Sequence, residues 1–392
     1  MRSRPGPRGW ARSRDGVARR DLMGAPTKVL MTADAVGGVW TYALDLAAGL
    51  RRDGVETVLA ALGPAMSDAQ RAAAGAIPGL QLVETGLPLD WTADSAAEIT
   101  EAGRAVAALA TAYGCDLVHL NSPALAAEAR FPCPVIAVCH SCVATWWDAV
   151  RGTELPDDFA WRADLVRAGY AASDLLLAPS AAFARATADA YGLSEPPRVV
   201  HNGRAARPPV AAPDSTEPFV LTAGRLWDDG KNVSTLDRVA ARLSAPVVAA
   251  GPPVGPNGAA IALHHAKALG HVDADTLDRL FGARPVFASL ALYEPFGLAA
   301  LEAAQAGCPL VLSDIPTFRE LWDGAAVLVN PADEDRAAAI LGALLGDADE
   351  RDRLGRAAAE RARSYTAESM VAGVLDAYRD LLGQTDPMTA AA

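Results

Sequence analysis

"RPVFASLALYEPFGLAALEAAQAGCPLVLS" runs from Arg284 to Ser313, and its reading decides the fold. Arg284–Leu290 and Pro309–Ser313 are short apolar runs suited to strands buried on both faces. Between them, Pro295 and Gly297 are poor helix-interior residues, whereas 298–306 is almost entirely strong helix formers closed by Gly307 and Pro309. Strand, turn, helix and strand in so short a span describe a parallel crossover unit.

The same alternation extends in both directions. "KVLMTAD" (Lys28–Asp34) is a strand, and after Gly37 and Gly38 comes a helix with Val39, Tyr42, Leu46 and Leu50 on one face. Further strands read at 55–61, 80–86, 116–122, 134–141, 174–180 and 198–203, with helical patterns between most of them. Residues 204–218, rich in Pro and Ala and without periodicity, read as a linker. Strands then resume at 219–224, 246–251, 284–290, 309–313 and 325–330, with helices at 231–243, 273–282, 297–306, 332–346 and 349–363. The expected fold class is therefore α/β, with two tandem Rossmann-like doubly wound domains over 27–203 and 219–365 and a cleft between their carboxyl edges. An Arg-rich tail (1–26) precedes them, and a helix and tail (366–392) follow.

Composition narrows the ligand. The chain has 392 residues, 51% of them hydrophobic, and a net charge of −12. Its first 22 residues carry seven Arg against two Asp, leaving −17 on the remainder. A body so acidic repels nucleic acid, and a small molecule is the expected partner. No apolar run is long enough for a membrane span, and the opening segment lacks the apolar stretch of a secretory signal. Its arginines suit peripheral contact with anionic lipid, and Met23 offers a second start. Five cysteines, an odd number, read as reduced thiols of a cytoplasmic protein. The lone C-x-x-C at Cys139–Cys142 lacks the second pair that a zinc site needs. The two D-x-D stretches at 273–275 and 347–349 stand where helix caps are expected, so no metal is assigned.

The chemistry concentrates at the carboxyl edge of the second sheet. Glu294 falls on the strand-to-helix turn and Glu302 about one turn, roughly 6 Å, inside the helix. The first amides of that helix, at Phe296, Gly297 and Leu298, form a natural phosphate site. A diphosphate there would have a hydroxyl-accepting carboxylate on each side, which describes a nucleotide sugar. Solvated residues of an ordinary crossover unit, or a glycosidase acid/base pair, remain alternatives on spacing alone. Arg225, just after a strand, and Lys231, placed at the start of the 231–243 helix, would meet the diphosphate from the opposite side.

"GRLWDDGKN" followed by "YEPFGLAALEAAQAGCPLVLSDIPTFREL" resembles the donor half of the retaining glycosyltransferases of family 4, which have the two-domain GT-B fold. The Gly-Gly loop, "VCHS", "LAPS" and "VVHNG" fall in that family's order, and the resemblance covers about 27–383. It implies that Glu294 holds the donor sugar, that amides around Phe296, Gly297 and Leu298 bind the diphosphate, and that Glu302 grips the ribose. Arg225 and Lys231 would neutralise the leaving nucleotide, with His140 beside the donor sugar. Gly37 and Gly38 would let the N-domain backbone approach the phosphate, and Val272 would contact the base through its main chain. No cofactor is implied. The acceptor would be a carbohydrate, a glycolipid or a small molecule met by the N-domain, where Trp146 and Trp147 suit sugar stacking. The last helix, with Met370, Val374, Ala377, Tyr378 and Leu381 in a stripe, would cross back onto the N-domain. One departure stands out: Asn232 occupies the place of a usual Gly after the phosphate-binding lysine. An epimerase or a phosphorylase on the same fold, or a non-catalytic sugar-nucleotide sensor, are the competing readings.

Overall fold

In the computed structural model, which describes residues 25–205 and 217–385, the alternation becomes two parallel sheets. The N-terminal half runs β1 (Lys28–Asp34), α1 (Gly38–Arg52), β2 (Glu56–Leu62), α2 (Asp68–Gly75), β3 (Gln81–Glu84), α3 (Ala96–Tyr113), β4 (Leu117–Leu120), β5 (Val135–Val138), α4 (Val143–Arg151), α5 (Asp157–Ala172), β6 (Leu175–Ala178), α6 (Ala181–Tyr191) and β7 (Arg198–Val199). The C-terminal half runs β8 (Val220–Ala223), α7 (Val233–Ala240), β9 (Val247–Ala250), β10 (Lys267–Gly270), α8 (Ala274–Gly282), β11 (Val286–Ser289), α9 (Leu298–Gln305), β12 (Leu310–Ser313), α10 (Pro316–Trp322), β13 (Val327–Val329), α11 (Glu334–Gly346), α12 (Ala348–Ala362) and α13 (Ala367–Thr385).

Strand order is β3-β2-β1-β4-β5-β6-β7 in the first sheet and β10-β9-β8-β11-β12-β13 in the second, with every pairing parallel. The central strands are apolar throughout because helices cover both faces; Val29, Leu30, Leu117, Val118 and Ile136 are fully buried. The order reverses between β1 and β4 and again between β8 and β11. Ligands of such sheets sit in the crevice outside the carboxyl ends at that reversal. Register places Met31 opposite His119, so Asp34 and Asn121 leave neighbouring strands at one edge.

Helix α13 crosses back as expected. Met370, Val374, Ala377, Tyr378 and Leu381 are buried with Val29, Met31, Leu46 and Leu50, so the last helix completes a core of the first domain. Two elements were not foreseen. Strand β10 is a partly exposed sheet edge without an apolar run, and α10 is a single short helix begun by Pro316. The Arg-rich start, the Met23 start and the membrane contact read into them lie outside the described residues, as does most of the expected linker. Among the described residues, no helix is long and apolar enough to cross a membrane.

A charge buried on the α13 stripe has no partner to meet it. Val374→Asp is expected to cost at least about 3 kcal/mol, measured by denaturant unfolding. Hydrogen exchange should show β1 and α1 losing protection ahead of the second sheet.

Candidate functional site

Both reversal points carry the residues singled out above. Helix α9 begins at Leu298 behind Gly297, whose left-handed backbone (φ 94°) and missing Cβ suit a place where a side chain would lie 2.9 Å from Phe318. No side chain caps α9, and its first turn holds no acidic residue. The same is true of α1, which starts at Gly38 behind Gly37. The two ends face each other across the cleft: a Cβ on Gly38 would sit 3.3 Å from Leu298, and one on Gly37 would sit 3.9 Å from Arg225. By contrast, α2, α6, α8, α11 and α12 are capped by Ser67, Ser180, Asp273, Asp333 and Asp347. Both D-x-D stretches thus open with a helix cap. Among the described residues, no group of three metal-ligating side chains comes together.

A small open cavity lies at this point, lined by Gly224, Arg225, Lys231, Glu294, Gly297 and Phe318 among others. Lys231 does not start a helix as expected. It ends a single turn (Asp229–Lys231), and α7 begins only at Val233 because Asn232 adopts a left-handed conformation (φ 53°). Asn232 can do what the usual Gly does because its amide is held on both sides. Its Nδ2 donates to Leu290 O (2.8 Å), and its Oδ1 accepts from Thr235 Oγ1 (2.7 Å). Lys231 Nζ meets Glu294 Oε2 at 2.5 Å, and Gly230 O accepts the amides of Leu292 and Tyr293, locking the two turns together. Arg225 Nη2 donates to Asp228 Oδ2 at 2.9 Å.

The first domain grips these turns directly. Tyr293, one residue before Glu294, lies in the N-domain core, with its hydroxyl 2.9 Å from Thr145 Oγ1 and its ring edge-on to Phe183. Ser180 donates to Pro295 O, Trp146 Nε1 to Asp228 Oδ1, and the amides of Ala181 and Ala182 to the Glu320 carboxylate. Arg204, which sequence reading placed in the linker, is buried. It joins Asp45 of α1 to Glu302 of α9, with its Nε 2.8 Å from Glu302 Oε1. Only a charged residue amid Pro and Ala hinted at it. Glu302 is therefore engaged beside the cavity rather than lining it. Val272 stands two residues beyond the edge strand β10 and packs against the core that includes Phe296 and Leu301.

His140 follows β5 at the cleft edge. Asn121 Nδ2 donates to Thr32 O, so its Oδ1 faces His140 Nε2 at 2.8 Å. Nε2 therefore carries the proton and Nδ1 the lone pair. Burial, with a smaller contribution from neighbouring His119, pushes the His140 pKa down to about 3. His119, fully buried between the hydroxyls of Tyr42 (3.3 Å) and Tyr378 (2.8 Å), is likewise pushed to about 3 by burial. Neither Asn121 nor this relay from α13 was read from the sequence, because the partners lie far apart in the chain.

Residues 36–205 match the family model described as Glycosyltransferase Family 4, and residues 204–361 match that for Glycosyl transferases group 1. The O-antigen chain mannosyltransferase B of Escherichia coli is 29% identical over 111 residues, which are 28% of this chain and 29% of that protein. A D-inositol 3-phosphate glycosyltransferase of Salinispora tropica is 33% identical over 112 residues, 28% of this chain and 23% of that one. The matches thus span less than a third of these curated relatives. Among solved structures, sucrose-phosphate synthase from Thermosynechococcus elongatus superposes with a TM-score of 0.74 at 17% identity, covering 92% of this chain and 100% of its own. A glycosyltransferase from Rickettsia africae gives 0.66 at 16%, covering 91% and 99%. These likenesses establish the fold.

Two outcomes follow from the geometry. Asn232→Ala keeps an unfavourable backbone and loses both amide bonds, so it is expected to destabilise by about 1–3 kcal/mol, more than Asn232→Gly, in chemical denaturation. Because His119 is neutral when folded and binds a proton when unfolded, its contribution is intact above about pH 6.5 and is lost as pH falls. Acidification to pH 5 should cost about 2 kcal/mol through His119 alone, and His119→Gln should remove that share of the slope.

Proposed function

Because the chain belongs to the family 4 glycosyltransferases and has their GT-B fold, we propose that it moves a hexosyl group from a nucleotide sugar to a hydroxylated acceptor, with retention at the anomeric carbon and without a metal. The observation that carries this reading is the meeting of two uncapped helix N-termini, α1 and α9, at a cavity flanked by Arg225 and Lys231. Free amides and the positive ends of two helix dipoles favour a diphosphate. Gly37 and Gly38 give it room, and the amides around Phe296, Gly297 and Leu298 bind it. A donor seated there exchanges the Lys231–Glu294 bond for two new ones, from Lys231 to phosphate and from a sugar hydroxyl to Glu294. Glu302 is assigned the ribose hydroxyls, Val272 the base, and the His140 Nδ1 lone pair a donor-sugar hydroxyl.

Charge builds on the departing nucleotide as the glycosidic bond breaks. Arg225 and Lys231 stand where it builds, so they stabilise the transition state more than the ground state. The leaving phosphate oxygen takes the acceptor proton on the same face, which makes positioning and electrostatics the principal sources of rate.

A charge-assisted hydrogen bond contributes about 1.5–3 kcal/mol, so Arg225→Ala and Lys231→Ala should each lower kcat/KM roughly ten- to a hundredfold. Glu294→Gln should mainly lower kcat, and Glu302→Gln should weaken donor binding. Thermal unfolding with UDP, GDP, ADP or dTDP should show stabilisation by one of them with or without magnesium. The reading is abandoned if a folded sample responds to none, or if all four variants turn over like the wild type.

A further inference from the structure

The N-domain wall of the cleft contains carboxyl groups that the donor site does not use. Asp34 ends β1, three residues before Gly37. Its Oδ1 accepts from the amide of Val36 (2.5 Å), and its Oδ2 from Trp91 Nε1 (3.4 Å). A carboxylate has about four acceptor positions, so lone pairs remain. Asp90, next to Trp91 in the chain, is half-buried, and its carboxyl group is met by the backbone amides of Asp90 and Trp91 but by no other side chain among the described residues. Burial, helped by the nearby Asp34 charge, pushes the Asp90 pKa up to about 6, and burial raises Asp34 as well.

The cations whose fields reach this pair are already engaged. Arg162 donates to the backbone oxygens of Asp90 (3.2 Å), Ala93 (2.7 Å) and Asp158 (3.4 Å) and lies over the Trp161 ring. Arg225 is held by Asp228 and belongs to the donor side. The aromatic surface is supplied by half-buried Trp91, one face of which is stacked on Trp227 of the other domain with ring centroids 6.2 Å apart.

We infer that Asp34, Asp90 and Trp91 form the acceptor subsite, and that they select a neutral polyhydroxylated acceptor, a sugar or polyol end without phosphate. This rests on the transferase reading. Hydroxyls donate to carboxylates, an aromatic face suits the C–H side of a sugar ring, and a phosphate here would meet two carboxyl groups with no uncommitted cation.

The test uses the full chain and the nucleotide sugar whose nucleotide stabilises it. That donor is offered with an equimolar pool of methyl hexosides, p-nitrophenyl hexosides and inositol alongside glucose 6-phosphate and inositol phosphate, and products are read by mass spectrometry. Neutral acceptors should be extended at least tenfold faster than phosphorylated ones. Asp90→Asn and Trp91→Ala should each lower transfer to the neutral acceptors about tenfold or more, with the nucleotide-induced thermal shift unchanged. Asp90→Asn should also narrow the preference against phosphate. Phosphorylated acceptors used equally or better, variants that transfer like the wild type, or a pool left untouched by protein that binds nucleotide would each overturn the subsite while leaving the donor site standing. Absence of any nucleotide-induced shift would instead remove the transferase reading beneath it.

Discussion

The arrangement depends on one buried guanidinium. Arg204 joins Asp45 in α1 to Glu302 in α9, the two helices whose bare N-termini meet at the cavity. Each helix belongs to a different sheet, so their alignment is a long-range property that neither domain can set alone. A buried arginine with a carboxylate on each side is costly to desolvate, and its gain is geometric definition more than stability. Here that definition fixes the distance between two positive helix ends, as the proposed diphosphate site requires.

Around this bridge the cleft is held shut by small, specific contacts rather than by a broad apolar interface. Tyr293 is buried in the first domain, Ser180 and Glu320 tie α6 to the second, and Trp146 holds the loop that carries Arg225. The Tyr293, Ser180 and Trp146 contacts touch residues one to three positions from Glu294, Arg225 and Lys231. Opening the domains would therefore also loosen the turns that carry these residues, which couples closure to assembly of the candidate site. The relay Tyr378–His119–Tyr42 brings α13 into the same unit, because it ends against the ring of His140.

Much of this was legible in the sequence. Short apolar runs alternating with amphipathic segments required two parallel sheets, and the Pro295–Gly297 break located the start of α9 because the backbone chemistry there is local. Glu294, Lys231 and Arg225 came together as expected, since a strand's carboxyl end is a fixed address in such folds. What escaped notice was either weakly patterned or non-local. Strand β10 has no apolar run to announce it, and Asn232 looked like a departure until its two side-chain bonds accounted for the left-handed turn. Arg204 bonds Glu302 98 residues on, and Asn121 bonds Thr32 and His140, 89 and 19 residues away, and no period or spacing marks such pairs.

Helix α13 carries a consequence for synthesis. Its stripe completes a core whose strands, β1 and β4, lie at the other end of the chain. On the ribosome the N-domain sheet is made first, yet it keeps an apolar face open until the second domain has been translated and α13 has emerged. The earliest domain made is thus the last to be sealed, and exposure of that apolar face through about half of the translation time is built into the topology.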